Sequence, residues 1–98
     1  MEFQEEKIKS VKRVFEIQNE KGLHARASAM FVEVVERFNA TVEVSNDGLS
    51  VPGDSIMGLL MLAASKGTSL NVVIEGSDAE ELAKAIENLL NSKFGEGS

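Results

Sequence analysis

His24 is the only histidine in the chain, and it lies in the run Gly22-Leu23-His24-Ala25-Arg26-Ala27-Ser28, two residues ahead of an arginine. An imidazole so placed suits acceptance of a phosphoryl group: the ring supplies a nitrogen nucleophile, and the planar arginine fork matches phosphate oxygens. After this run Ala27, Met30, Phe31, Val34 and Phe38 recur at helical spacing, while Glu33, Glu36 and Arg37 take the opposite face. His24 is thus predicted to stand at the mouth of a helix over residues 25 to 38. There, unpaired backbone N–H groups and the positive end of the dipole favour an anion. A solitary histidine at a helix start can also be a plain solvated residue, and spacing by itself leaves that simpler role open.

Other chemistries have less support. Ser28 and Ser55 are possible nucleophiles, but a chain with one imidazole offers no serine-and-base constellation beside it. Asp78, Glu80 and Glu81 form an acidic group, yet in a first helical turn they complement the dipole without any catalytic role. Gly48, Gly53 and Gly58 are interrupted by strand and cap signals, with no lysine at phosphate-loop spacing. Cysteine is absent, which removes disulfides and thiolate metal ligands. No metal and no cofactor are therefore expected.

The 98 residues, 43% of them hydrophobic, suffice for one small two-layer core. A formal charge of −6 and the absence of tryptophan and tyrosine speak against nucleic-acid binding. No apolar run approaches the roughly 18 residues a membrane span needs, and the start Met1-Glu2-Phe3-Gln4 has no basic stretch followed by an apolar one. The expectation is a cytoplasmic protein, monomeric and without membrane insertion.

The elements that must position His24 can be read in order. Residues 1 to 9 are expected to be a frayed polar extension whose Phe3 and Ile8 could pack onto the domain. Residues 11 to 17 alternate imperfectly, with Phe15 and Ile17 as inward candidates for a first strand. Thr41-Val42-Glu43-Val44 and Leu49-Ser50-Val51 flank Asn46-Asp47-Gly48, a hairpin signal. Asp54 or Ser55 can cap a short helix carrying Ile56, Met57, Leu59, Leu60 and Leu62, which is apolar nearly all round and so is either deeply buried or offers a face to a partner. Leu70, Val72 and Ile74 mark a fourth strand. Ser77 with Glu80 reads as a capping box opening a last helix, with Leu82, Ile86, Leu89 and Leu90 as its stripe and Gly95 as its stop. Alternating strands point to an antiparallel sheet, one face covered by helices and the other wet.

Gly22-Leu23-His24-Ala25-Arg26, followed downstream by Ser55-Ile56-Met57-Gly58, resembles the HPr family, histidine phosphocarriers of the bacterial sugar phosphotransferase system. The resemblance covers about residues 9 to 92. It implies an α+β open-faced sandwich of order βαββαβα, with four antiparallel strands and three helices on one face, in a domain spanning residues 10 to 94. It also implies that His24 accepts a phosphoryl group, at Nδ1, from enzyme I and passes it to enzyme IIA domains, assisted by Arg26. The protein would then be an intermediate and not an autonomous catalyst. By the same resemblance Ala25, Ala27, Ile56, Met57 and Leu60 would meet partners, and Ser55 would be a regulatory site for an HPr kinase. One departure is visible: Ala27 stands where the family usually has proline. The competing expectation is a regulatory interaction module, or a nitrogen-branch paralogue, controlling a partner protein.

Overall fold

A computed structural model describes residues 9–98 of the protein, and the expectations for Phe3 and Ile8 lie outside them. Four strands, β1 (Ser10–Glu16), β2 (Thr41–Asn46), β3 (Leu49–Pro52) and β4 (Ser69–Glu75), form one sheet in the order β1-β4-β2-β3. All three pairings are antiparallel. Helices α1 (Ala25–Glu36), α2 (Ile56–Met61) and α3 (Ala79–Asn91) complete the α+β open-faced sandwich. No helix among the described residues is long and apolar enough to cross a membrane.

Alternation decides which sheet face is buried. Val42 and Val44 of β2, Val51 of β3, and Leu70, Val72 and Ile74 of β4 all enter the core, with Val44 opposite both Val51 and Val72. Their neighbours Glu43, Ser50 and Asn71 face water. In β1 the inward residue is Val11; Ile17, just past the strand, is fully buried, and Phe15 is half-buried on the same side. Each fully buried aliphatic side chain contributes roughly 1.5–3 kcal/mol relative to an exposed one. The β2–β3 turn has positive φ at both Asp47 and Gly48, the backbone that a two-residue type I′ hairpin demands and that Asp-Gly tolerates.

The last helix departs from expectation at both ends. Ser77 does not close a capping box. Its hydroxyl accepts from Asn39 Nδ2 at 2.9 Å, while Asp78, the residue flanking α3, accepts from the Asn39 backbone N–H at 2.8 Å through Oδ2. The loop after α1 thus takes the Ser77 hydroxyl, which the local pattern assigned to the cap, and the Asp78 carboxylate, which that pattern placed in the first turn. At the other end, α3 stops at Asn91, ahead of the expected Gly95, and a short 3₁₀ turn over Lys93–Gly95 follows. Its three residues all have positive φ (56°, 54° and 73°), so the chain reverses and drives Phe94 into the core, where it is 1% exposed.

Candidate functional site

His24 flanks the start of α1 with extended backbone (φ −77°, ψ −178°) and makes no side-chain cap. Its ring is free to serve another purpose. The first helical bond runs from Ser28 N–H to His24 C=O at 2.8 Å. The N–H groups of Ala25, Arg26 and Ala27 have no acceptor among the described residues and are the donors that a helix mouth presents to an anion.

The loop before α1 is fixed from two sides. Gly22 turns with φ +69°, and a Cβ there would lie 2.5 Å from the Ala64 carbonyl oxygen, so only glycine fits. Leu23 N–H then donates to that same carbonyl at 2.9 Å, tying the histidine loop to the segment that follows α2. Ser28, weighed above only as a possible nucleophile, is fully buried, with its Oγ 3.3 Å from the Leu23 carbonyl that accepts from it.

The ring itself is held from the far end of the chain. His24 Nε2 is hydrogen-bonded to Glu96 Oε2, while Asn19 Nδ2 donates at 2.9 Å both to Glu96 Oε1 and to the Gly22 carbonyl. Neither Asn19 nor Glu96 was identified as part of the site from sequence. The bonds from His24 and Asn19 hold the Glu96 carboxyl below its ordinary range, with Lys21 adding a smaller favourable field. Because its folded-state pKa is lowered, the stabilisation from this group is complete above the unfolded carboxylate value and is lost as pH falls through the lowered one. His24 Nδ1 makes no hydrogen bond among the described residues, and the side chain remains 28% exposed. The arrangement offers one open ring nitrogen beside the mouth of a helix.

Arg26, the second residue of α1, is exposed, as is Ala25. Ala27 is 0% exposed and packs in the core, so its side chain belongs to the interior and not to the partner-facing surface expected of it. On α2, Ser55 is the capping residue, its Oγ accepting from Gly58 N–H at 3.0 Å, as the sequence predicts. Ile56 and Met57 are 40% and 71% exposed and Leu60 is half-buried, whereas Leu59 and Leu62 enter the core. The short helix therefore has a free apolar face, to which Met61, 64% exposed, also belongs.

Residues 11–92 match the family model described as the PTS HPr component phosphorylation site. This chain belongs to the HPr family. Curated relatives agree: it is 45% identical over 87 residues to the phosphocarrier protein HPr of Neisseria meningitidis, covering 89% of this chain and 98% of that one. With the Pseudomonas aeruginosa phosphocarrier protein HPr it shares 46% identity over 80 residues, 81% of this chain and 89% of that one. The crystal structure of HPr-C-His from Thermoanaerobacter tengcongensis superposes with a TM-score of 0.85 at 40% identity, covering 90% of this chain and 99% of that chain. The HPr fold thus accounts for the open-faced sandwich. Glu96 lies beyond the residues that the family model matches.

The departure at Ala27 can be tested. Its N–H has no acceptor among the described residues, so Ala27→Pro deletes no internal bond in the first turn, and the stiffer unfolded chain offsets some crowding in the core. The variant should fold with a Tm within about 5 °C of the wild type in a circular-dichroism melt. A much larger fall would show that the buried site has no room for the ring.

Proposed function

We propose that this protein is a cytoplasmic phosphocarrier of the phosphoenolpyruvate-dependent sugar phosphotransferase system, accepting a phosphoryl group on His24 from enzyme I and passing it to enzyme IIA domains. The observation that carries the reading is the His24 ring, with Nε2 engaged and Nδ1 open at the start of α1. In the transfer, the Nδ1 lone pair attacks phosphorus, and the bond from phosphorus to the donor atom of enzyme I breaks with its electron pair returning to that atom. The proton on Nε2 stays where it is. The product phosphoryl group carries about two negative charges, which suit the unpaired N–H groups of the first turn and the guanidinium of Arg26. The protein is the intermediate of a relay and holds the group without turning over a substrate of its own. Incubation with phosphoenolpyruvate and enzyme I should label it at one site, with acid-labile and alkali-stable phosphate. Failure to label, or an acid-stable label, would overturn the assignment.

The exposed face of α2, with Ile56, Met57 and Leu60, is the docking surface in this reading. Methionine suits a surface that meets several partners, since its flexible thioether repacks against each. Ser55 stands at the edge of that face and is proposed as a regulatory phosphorylation site for an HPr kinase. A phosphate there is tolerated by the helix start but introduces charge where docking must remove water from apolar surface. Ser55→Asp should leave the circular-dichroism spectrum unchanged and slow phosphorylation of His24 by enzyme I roughly tenfold or more. Unaltered transfer kinetics in both Ser55→Asp and Ser55-phosphorylated protein would rule out the inhibitory role.

A further inference from the structure

The structure assigns Glu96 as a positioning residue for phosphoryl transfer: its carboxylate, clamped by Asn19, holds the proton of His24 on Nε2 and leaves the Nδ1 lone pair directed outward as the nucleophile. This inference rests on the phosphocarrier reading of His24 and adds to it a residue outside the segment that defines the family.

The geometry carries the assignment. An ionised carboxylate only accepts hydrogen bonds, so the ring nitrogen facing Glu96 Oε2 is the one bearing hydrogen, and the other nitrogen has the free electron pair. Both carboxylate oxygens are occupied, Oε2 by His24 and Oε1 by Asn19 Nδ2 at 2.9 Å, which fixes the plane of the carboxylate and with it the orientation of the ring. The second proton of the same Asn19 amide goes to the Gly22 carbonyl at 2.9 Å, so one side chain joins Glu96 to the turn that sets the His24 backbone. Asn19 is 0% exposed, and its Oδ1 has no partner among the described residues. A buried acceptor left unmatched is a cost to folding, as expected where a side chain is placed for its two donors. Glu96 reaches the ring because Phe94, two residues earlier, is anchored in the core through the left-handed turn at 93–95.

The chemical consequence applies in both directions of transfer. Before acceptance, the Nε2 proton donates to the carboxylate, which increases electron density on the ring and on Nδ1. After acceptance, the phosphorylated ring is an imidazolium whose Nε2–H still meets Glu96, so its positive charge is matched. When the phosphorus–Nδ1 bond breaks toward the next acceptor, its electrons return to Nδ1 and the ring leaves as neutral imidazole, with the proton still on Nε2. A carboxylate orienting an imidazole through the nitrogen opposite the reacting one plays the same part in Ser-His-Asp sites.

The test uses the full chain, ¹⁵N-labelled, with phosphoenolpyruvate and enzyme I. In the wild type, long-range ¹H–¹⁵N spectra should show the Nε2-protonated tautomer with an exchange-protected Nε2 proton. Glu96→Ala should lose that protection and accept the phosphoryl group about tenfold more slowly, the kinetic equivalent of one charge-assisted hydrogen bond. Glu96→Gln, which keeps an acceptor oxygen without the charge, should fall between the two. An Ala variant with the wild-type rate and an unchanged ring spectrum would overturn the positioning role while leaving the carrier reading intact. A wild type that takes no label in the same assay would overturn both.

Discussion

Replacing His24 with alanine should abolish phosphoryl acceptance, with the rate falling at least a thousandfold because the reacting atom itself is removed. The fold should survive the change. His24 contributes no side-chain cap to α1, and the elements that shape its loop, the Gly22 turn and the Leu23 bond to Ala64, are backbone features. What is lost is one partly exposed ring and its bond to Glu96. A His24→Ala protein with a native circular-dichroism spectrum and no incorporation of phosphate is therefore the expected result. Label persisting in that variant would place the acceptor elsewhere.

The second large effect concerns stability. Phe94→Ala should destabilise the domain by about 3–5 kcal/mol, lowering Tm by at least about 12 °C for a chain of this size. Phe94 is 1% exposed and sits in a left-handed conformation that an L residue adopts at a cost. That backbone persists because the aromatic ring fills the space at the end of α3, against the core. Removing the ring leaves a cavity and relaxes the turn, so the segment bearing Glu96 should detach from the site as stability falls. A thermal melt checks the first part, and a Tm within about 4 °C of wild type would show that Phe94 contributes little packing.

Much of the fold was legible because it is written in short-range patterns. The alternation in β2 and β4, the Asp47-Gly48 turn and the Ser55 cap each depend on residues within a few positions of one another, and each is found as read. Features that depend on contacts distant in sequence were not legible in the same way. Ser77 matches a capping box locally, but Asn39, 38 residues away, binds its hydroxyl instead. Gly95 fits a helix stop, but α3 ends at Asn91 because the burial of Phe94 requires a reversal that no periodicity signals. Ala27 begins the apolar spacing of α1 and is core as that spacing implies, whereas the resemblance had it meeting partners.

The candidate site divides along the same line. His24 at a helix mouth follows from the apolar spacing that begins after it, and both it and Arg26 lie in a run that the resemblance already singled out. Asn19 and Glu96 do not. Asn19 reads as an ordinary turn residue, and Glu96 sits in a Gly-Glu-Gly-Ser run with neither spacing nor apolar context. Their joint role emerges only when the chain end folds back across 72 residues of sequence to meet the ring.

The central claim is that Nδ1 of His24 takes the phosphoryl group, and the most direct measurement is a ¹⁵N–³¹P correlation on ¹⁵N-labelled protein phosphorylated with phosphoenolpyruvate and enzyme I. The expected spectrum has one phosphorus resonance coupled to the Nδ1 nitrogen of His24, with the Nε2 nitrogen protonated and uncoupled. Phosphorus coupled to Nε2, or bonded to oxygen on any side chain, would contradict the account.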